Sequence, residues 1–122
     1  MKPLFVLQNR VQHGQHRGRR LGFPTMNFPV AALPEGIYVS QTTIDGKRYN
    51  SLTFIGQAKT YNETNFQAET YVFDFNRDVY GQTITVNLLK KIRENQKFVS
   101  EEVLLKQMEE DKKQALSYFH RQ

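Results

Sequence analysis

Cysteine is missing from all 122 residues of the chain. Its absence excludes disulfides, thiolate metal ligands and a cysteine nucleophile, and agrees with a reducing, cytoplasmic setting. No run of 18 apolar residues occurs, so neither a membrane-crossing helix nor a membrane partner is expected. The opening stretch, Met1 to Asn9, is too short and turns polar too soon to be a signal peptide. There is no Gly-x-x-x-x-Gly-Lys-Ser/Thr loop and no Gly-x-Gly-x-x-Gly, which excludes the two commonest nucleotide-binding loops. Internal repeats and low-complexity segments are also lacking. No serine, histidine and aspartate stand in a context that suits a hydrolase triad, and paired glycosidase carboxylates find no support.

A further absence is local. No acidic residue precedes Glu35, whereas Lys2, Arg10, Arg17, Arg19 and Arg20 do. The other 12 of the 17 basic residues are matched by all 12 acidic ones, so the formal charge of +5 lies in the N-terminal third. A basic field this compact favours a small anionic ligand over nucleic acid, which would ask for a broader coat; no nucleic-acid partner is expected, and the rival is a small RNA-binding barrel that uses Arg17, Arg19, Arg20 and surface aromatics.

What is present begins with Gly18-Arg-Arg-Leu-Gly22-Phe-Pro-Thr25-Met-Asn27. Glycine allows close backbone approach to a ligand, arginine supplies forked donors for phosphate, and Thr and Asn offer neutral oxygens that suit a hard cation such as Mg²⁺. The stretch reads as a phosphate-and-metal loop, against the plainer alternative of a Gly/Pro turn with solvated arginines. His13 and His16 lie three apart with no third ligand nearby and read as exposed or phosphate-adjacent imidazoles.

With 39% hydrophobic and 24% charged residues the chain is expected to fold as one domain, 1–122. Strands are expected over 4–11, 36–44, 47–55, 66–75 and 82–89, from their β-branched and aromatic content. Asp45-Gly46 between the second and third is a strong hairpin signal. Residues 17–35 hold Pro24, Pro29 and Pro34 and are expected to be irregular backbone. Asp74 and Asp78 flank a turn, and Glu94 sits among Lys90, Lys91, Arg93 and Lys97 as a solvated ion-pair partner. A helix starts after Ser100, its N-cap, with Leu104, Met108, Ala115 and Phe119 on the packing face. His120 is expected to be exposed. Five short strands and a helix imply an antiparallel barrel or sandwich.

In the fourth strand, alternation places Glu69, Tyr71, Phe73 and Phe75 on one face. A lone carboxylate among aromatic rings is costly unless partnered, and desolvation there would raise its pKa towards the range of a general base. The alternative is a strand-end side chain with its head in water.

Taken in order, several segments resemble the riboflavin kinase domain of bacterial bifunctional riboflavin kinase/FAD synthetases and of eukaryotic riboflavin kinases. They are His13-Gly14, Gly18 to Asn27, Leu33-Pro-Glu-Gly-Ile-Tyr38, Ile55-Gly56, Glu69 to Phe75, Val79-Tyr-Gly81, Lys91-Ile-Arg93, Phe98, and a terminal helix with Gln107 and Asp111. The resemblance implies a mainly β fold: a six-stranded antiparallel Greek-key barrel with a C-terminal α-helix. It implies ATP-dependent phosphorylation of riboflavin at the ribityl 5′-hydroxyl, giving FMN and ADP. Glu69 would be the catalytic base. Gly14, Gly18, Arg19, Arg20, Gly22, Pro24, Thr25 and Asn27 would bind nucleotide, and Thr25 and Asn27 would hold Mg²⁺. Arg93, Asn95 and Phe98 would lie in a flap by the flavin. The chain departs from the family pattern at Asn9, Phe54, Ala58-Lys59-Thr60, Tyr71 and Asn95, where a glycine, an asparagine, an Arg-Pro-Thr run, a histidine and a carboxylate are usual. These changes cluster on the flavin side and keep open a non-catalytic flavin- or nucleotide-binding regulatory domain on the same fold. The family's N-terminal FAD synthetase domain is expected either to have been excised or never to have been joined.

Overall fold

Residues 2–12, 22, 24–31, 33–61 and 66–121 are described by the structure, a computed structural model. Six strands form: β1 (Phe5–Arg10), β2 (Met26–Pro29), β3 (Gly36–Ile44), β4 (Lys47–Gly56), β5 (Gln67–Val72) and β6 (Thr83–Arg93). A 20-residue helix, α1 (Glu101–His120), follows. All pairings are antiparallel, in the order β1-β6-β3-β4-β5-β2. The two outer strands curl towards each other. The Gln12 N–H donates to the Asn27 carbonyl at 2.7 Å, and Asn9 Nδ2 donates to the Pro29 carbonyl at 3.0 Å. The result is a nearly closed barrel, as the family resemblance implied.

Alternation decides which side chains fill it. Along β5, Ala68, Thr70 and Val72 point inward and are buried, while Gln67, Glu69 and Tyr71 lie on the outer face, half-buried. Phe28, Tyr38, Ile44, Ile55, Ile84, Val86 and Leu88 make the inner core. Each such side chain contributes about 1.5–3 kcal/mol when fully buried. A second cluster lies outside the barrel wall, where Ile37, Val39, Leu52 and Phe73 meet Ala115 of α1. This explains why β3 is buried on both faces over much of its length.

The interior also holds a chain of hydroxyls. Thr42 bonds Ser51 (2.9 Å), Ser51 bonds Ser40 (2.7 Å), Ser40 bonds Thr53 (2.8 Å), and Thr53 bonds Thr70 (2.9 Å). All five residues are fully buried, and each hydroxyl finds its partner within the chain, which ties β3, β4 and β5 together without an orphaned polar group.

Local signals held where backbone geometry demands a residue type. Asp45 and Gly46 have φ of 51° and 78°, the pair of positive angles that a two-residue hairpin requires. Asp78 Oδ1 accepts from Tyr80 N–H at 2.9 Å in the expected turn. Ser100 Oγ accepts from Val103 N–H at 3.3 Å, with Glu101 and Glu102 in the first helical turn.

Three strand expectations need correction. Residues 26–29, expected to be irregular, form β2; Pro29 fits because it ends an edge strand, where no donor is required. The strand expected over 66–75 stops at Val72. Phe73 N–H turns to the Asn50 carbonyl (2.9 Å) and Asp74 takes φ of 57°. Phe75 therefore leaves the face of Glu69 and packs edge-on against Tyr49 in the inner core, centroids 5.0 Å apart. Finally, the strand expected to end at Leu89 continues to Arg93, with irregularities in its pairing to β3 between Ile37 and Tyr38 and between Val39 and Ser40.

Candidate active-site cleft

The first two turns of α1 help roof an open cleft with a cavity volume of about 150 Å³. Its floor is the outer face of the sheet, with Ile37, Leu52, Phe54, Glu69 and Tyr71. Its roof is Leu104, Met108 and Asp111, and one end is closed by Ala58–Thr60 and by Asn95, Gln96 and Phe98. A mostly apolar concave site with a few placed polar groups is the usual form of a small-molecule pocket.

Pairing register builds the polar corner. Glu69 of β5 lies opposite Phe54 of β4 on one side and opposite Asn27 of β2 on the other. Directly paired residues share a face with Cβ atoms about 4.5–5.5 Å apart. The row Phe54–Glu69–Asn27 thus joins an aromatic wall, a carboxylate and an amide. Glu69 is half-buried, and Gln67 Nε2 donates to its Oε2 at 3.2 Å, which fixes its orientation. Asn27 is buried, and its Nδ2 donates to the Thr25 carbonyl at 3.3 Å. Thr25 is half-buried and lines the cleft as well. Amide, hydroxyl and carboxylate oxygens from neighbouring positions are hard donors of the kind that suits Mg²⁺. Among the described residues no group of three or more His, Cys, Asp or Glu gathers as a metal cluster.

Of the other expected nucleotide contacts, Gly22 (φ 90°) and Pro24 are exposed just before β2. Gly14, Gly18, Arg19 and Arg20 lie outside the described residues, as do His13 and His16. The three expected flavin-side residues all line the cleft, but each is also committed to the protein. Arg93 forms a two-pronged ion pair with Asp111, Nε to Oδ1 and Nη2 to Oδ2, both 2.8 Å, and lies 5.5 Å from the Phe98 ring centroid. Gln107 Nε2 adds a third bond to Asp111 at 3.0 Å. Asn95 Nδ2 donates to Glu35 Oε1 (3.2 Å) and to the Gln57 carbonyl (3.1 Å). Phe98 is buried, and its N–H donates to Thr60 Oγ1 at 3.0 Å. Gly56 makes this junction possible. At its φ of 143° an added Cβ would stand 2.7 Å from Glu35 Oε1 and 2.9 Å from Asn95 Nδ2. Glu94 pairs with Lys91 at 2.6 Å on the surface, as expected.

Asp111 entered the sequence reading as one of the residues that carry the family resemblance, without a role in the site, and Lys112 did not enter it at all. Lys112 Nζ donates to Tyr71 OH at 3.2 Å and lies 5.4 Å from that ring's centroid. For Lys112 the signal was the gap between Met108 and Ala115 in the apolar stripe, where a helix puts residues 111 and 112 on the packing side.

These features define a class: a small antiparallel barrel whose terminal helix roofs an apolar cleft, with one carboxylate beside neutral oxygen donors. The chain belongs to the riboflavin kinase (flavokinase) family, whose model matches residues 2–119. The trifunctional protein RibF/MnmA of Mycoplasmoides gallisepticum is 42% identical over 97% of this chain and 19% of its own. The bifunctional riboflavin kinase/FMN adenylyltransferase of Bacillus subtilis is 36% identical over 97% of this chain and 39% of its own. The chain thus spans well under half the length of either relative. A riboflavin kinase structure from Trypanosoma brucei shares the fold, with a TM-score of 0.65 at 20% identity over 98% of this chain and 82% of that one.

Proposed function

We propose that the chain transfers the γ-phosphoryl group of ATP to the ribityl 5′-hydroxyl of riboflavin, giving FMN and ADP. The row Phe54–Glu69–Asn27 carries this reading, because it sets a carboxylate at the boundary between an apolar cleft and a cluster of oxygen donors. The flavin ring system is assigned to the apolar part, between Phe54 and the helix residues Leu104 and Met108. The ribityl chain then leads towards Glu69. Glu69 takes the proton of the 5′-hydroxyl as that oxygen bonds to the γ-phosphorus, and the bond from phosphorus to the ADP oxygen breaks. Phosphoryl transfer is mainly positioning and charge neutralisation, so a fixed carboxylate and a roofed cleft are the main things the protein supplies. Thr25 and Asn27 are assigned to Mg²⁺, which when bound neutralises charge on the phosphates. Gly14, Gly18, Arg19, Arg20, Gly22 and Pro24 are assigned to the nucleotide.

The test is FMN formation from riboflavin and Mg-ATP, followed by chromatography of the flavins. Glu69→Gln is expected to lower turnover about a hundredfold or more, the usual size for loss of a positioned base. Near-normal turnover would remove Glu69 from the mechanism. The commitment of Asn95 to Glu35 and Gln57 motivates a second reading, a barrel that binds flavin without turning it over. Riboflavin binding with no FMN from the unaltered chain would favour that reading.

A further inference from the structure

The two halves of the helix meet different parts of the barrel. Ala115 is fully buried and Tyr118 and Phe119 pack into the outer cluster, whereas Leu104 and Met108 stand over the cleft. Asp111 and Lys112 occupy the boundary between the two halves, and they reach in different directions. Asp111 binds Arg93 at the end of β6, and Lys112 binds Tyr71 on β5. Both tethers border the cleft, since Arg93, Asp111 and Tyr71 line it.

From this placement we infer that Lys112 and Tyr71 form a positioning pair that sets the height of the helix over the cleft, and through it the affinity for flavin. The inference rests on the assignment of the cleft to riboflavin. Ala115, Tyr118 and Phe119 hold the helix by packing, and Asp111 and Lys112 tie it to the barrel beside the turns that roof the cleft. The Lys112–Tyr71 bond is charge-assisted and half-buried, so it is worth more than an exposed pair. It touches neither Glu69 nor the Thr25–Asn27 corner, so its loss acts on how firmly the flavin is covered. Phosphoryl transfer itself keeps its groups in place.

Lys112→Met keeps the stem and removes the charge. It is expected to raise the riboflavin Kd and KM about three- to tenfold, the effect of losing one such hydrogen bond, with kcat and the Mg-ATP KM unchanged. Lys112→Arg retains a cationic donor and should stay within about twofold of the unaltered chain. Adding Tyr71→Phe to Lys112→Met should cause no further loss, because two partners of one contact are not additive. A fall in kcat with an unchanged KM, or fully additive losses, would overturn the pair's role. Hydrogen exchange of the amides of residues 104–110, measured without ligand, tests the tether on its own. Faster exchange in Lys112→Met supports it, and unchanged exchange overturns it whatever the flavin data show. If the unaltered chain fails to bind riboflavin, the assignment of the cleft falls, while the exchange result still decides the tether.

Discussion

Tyr38 shows how one side chain can report the integrity of the barrel. It is buried in the inner core, and its hydroxyl donates to the Pro34 carbonyl at 2.6 Å. Burial raises its pKa above the ordinary 10.0; nearby Lys91 pulls it down and Glu94 pushes it up. A group whose folded-state pKa is raised holds its proton more tightly when folded. Its contribution is complete below pH 10 and is lost as pH rises through the folded value. Stability measured by urea unfolding should therefore be flat up to about pH 9 as far as this group is concerned, and decline above about pH 10. Tyr38→Phe should start about 1 kcal/mol less stable, having lost one hydrogen bond, and should show a shallower alkaline decline. Equal alkaline slopes in the two proteins would mean that Tyr38 does not titrate with unfolding. At this scale the sequence was partly legible. Glu69 could be found because strand alternation is a local rule, and the structure does place it on the cleft wall. Arg93–Asp111 could not, because the partners are 18 residues apart on different elements, and Lys112–Tyr71 are 41 apart. No local rule specifies such pairs.

At the scale of elements, one ion pair ties the helix to the end of β6. Side-chain exposure is 16% for Arg93 and 4% for Asp111, so either charge left alone would be poorly hydrated. Breaking a buried pair by removing one partner costs about 3–5 kcal/mol, whereas replacing both with apolar residues of similar volume is often near neutral. Asp111→Ala is thus expected to lose about 3 kcal/mol in urea unfolding, and Arg93→Met with Asp111→Leu to regain most of it. A double variant as unstable as the single one would show that the pair contributes through geometry that apolar packing cannot replace. The elements that were legible are those with a geometric requirement: the Asp45-Gly46 turn needs two positive φ angles, and the Ser100 cap needs a side-chain acceptor. Strand β2 was not legible, because four residues ending in proline carry too little alternation to stand out from a loop. Its existence is decided by β5, whose outer edge pairs with it from Met26↔Thr70 to Pro29↔Gln67.

For the whole molecule, the strand order makes β1 and β2 the two outer strands, and closure is a matter of how they meet. β1 pairs with β6 across nearly the full chain, Phe5 opposite Leu88, so the barrel's architecture lies in non-local pairing that periodicity cannot reveal. Among the described residues, the seam is bridged by Gln12 with Asn27 and by Asn9 with the Pro29 carbonyl. The inner strands β3, β4, β5 and β6 each have partners on both sides, and β3 is covered on both faces as well. Local opening is easiest where backbone bonds are few and exposed. Backbone amides of β3 and β6 should accordingly exchange slowest, and those of β1 and β2 markedly faster. The seam is also where the proposed metal and nucleotide corner begins, since Asn27 both closes it and faces Glu69. Binding of Mg-ATP at that corner should slow exchange in β2 and at Gln12 while leaving the centre of β3 unchanged, because a ligand that binds only the closed seam stabilises it by mass action. Asn27→Ala removes the side chain and keeps the backbone bridge, so the ligand-free exchange pattern should survive while the slowing by Mg-ATP is lost. Slowing that persists undiminished in Asn27→Ala would place the nucleotide elsewhere on the barrel.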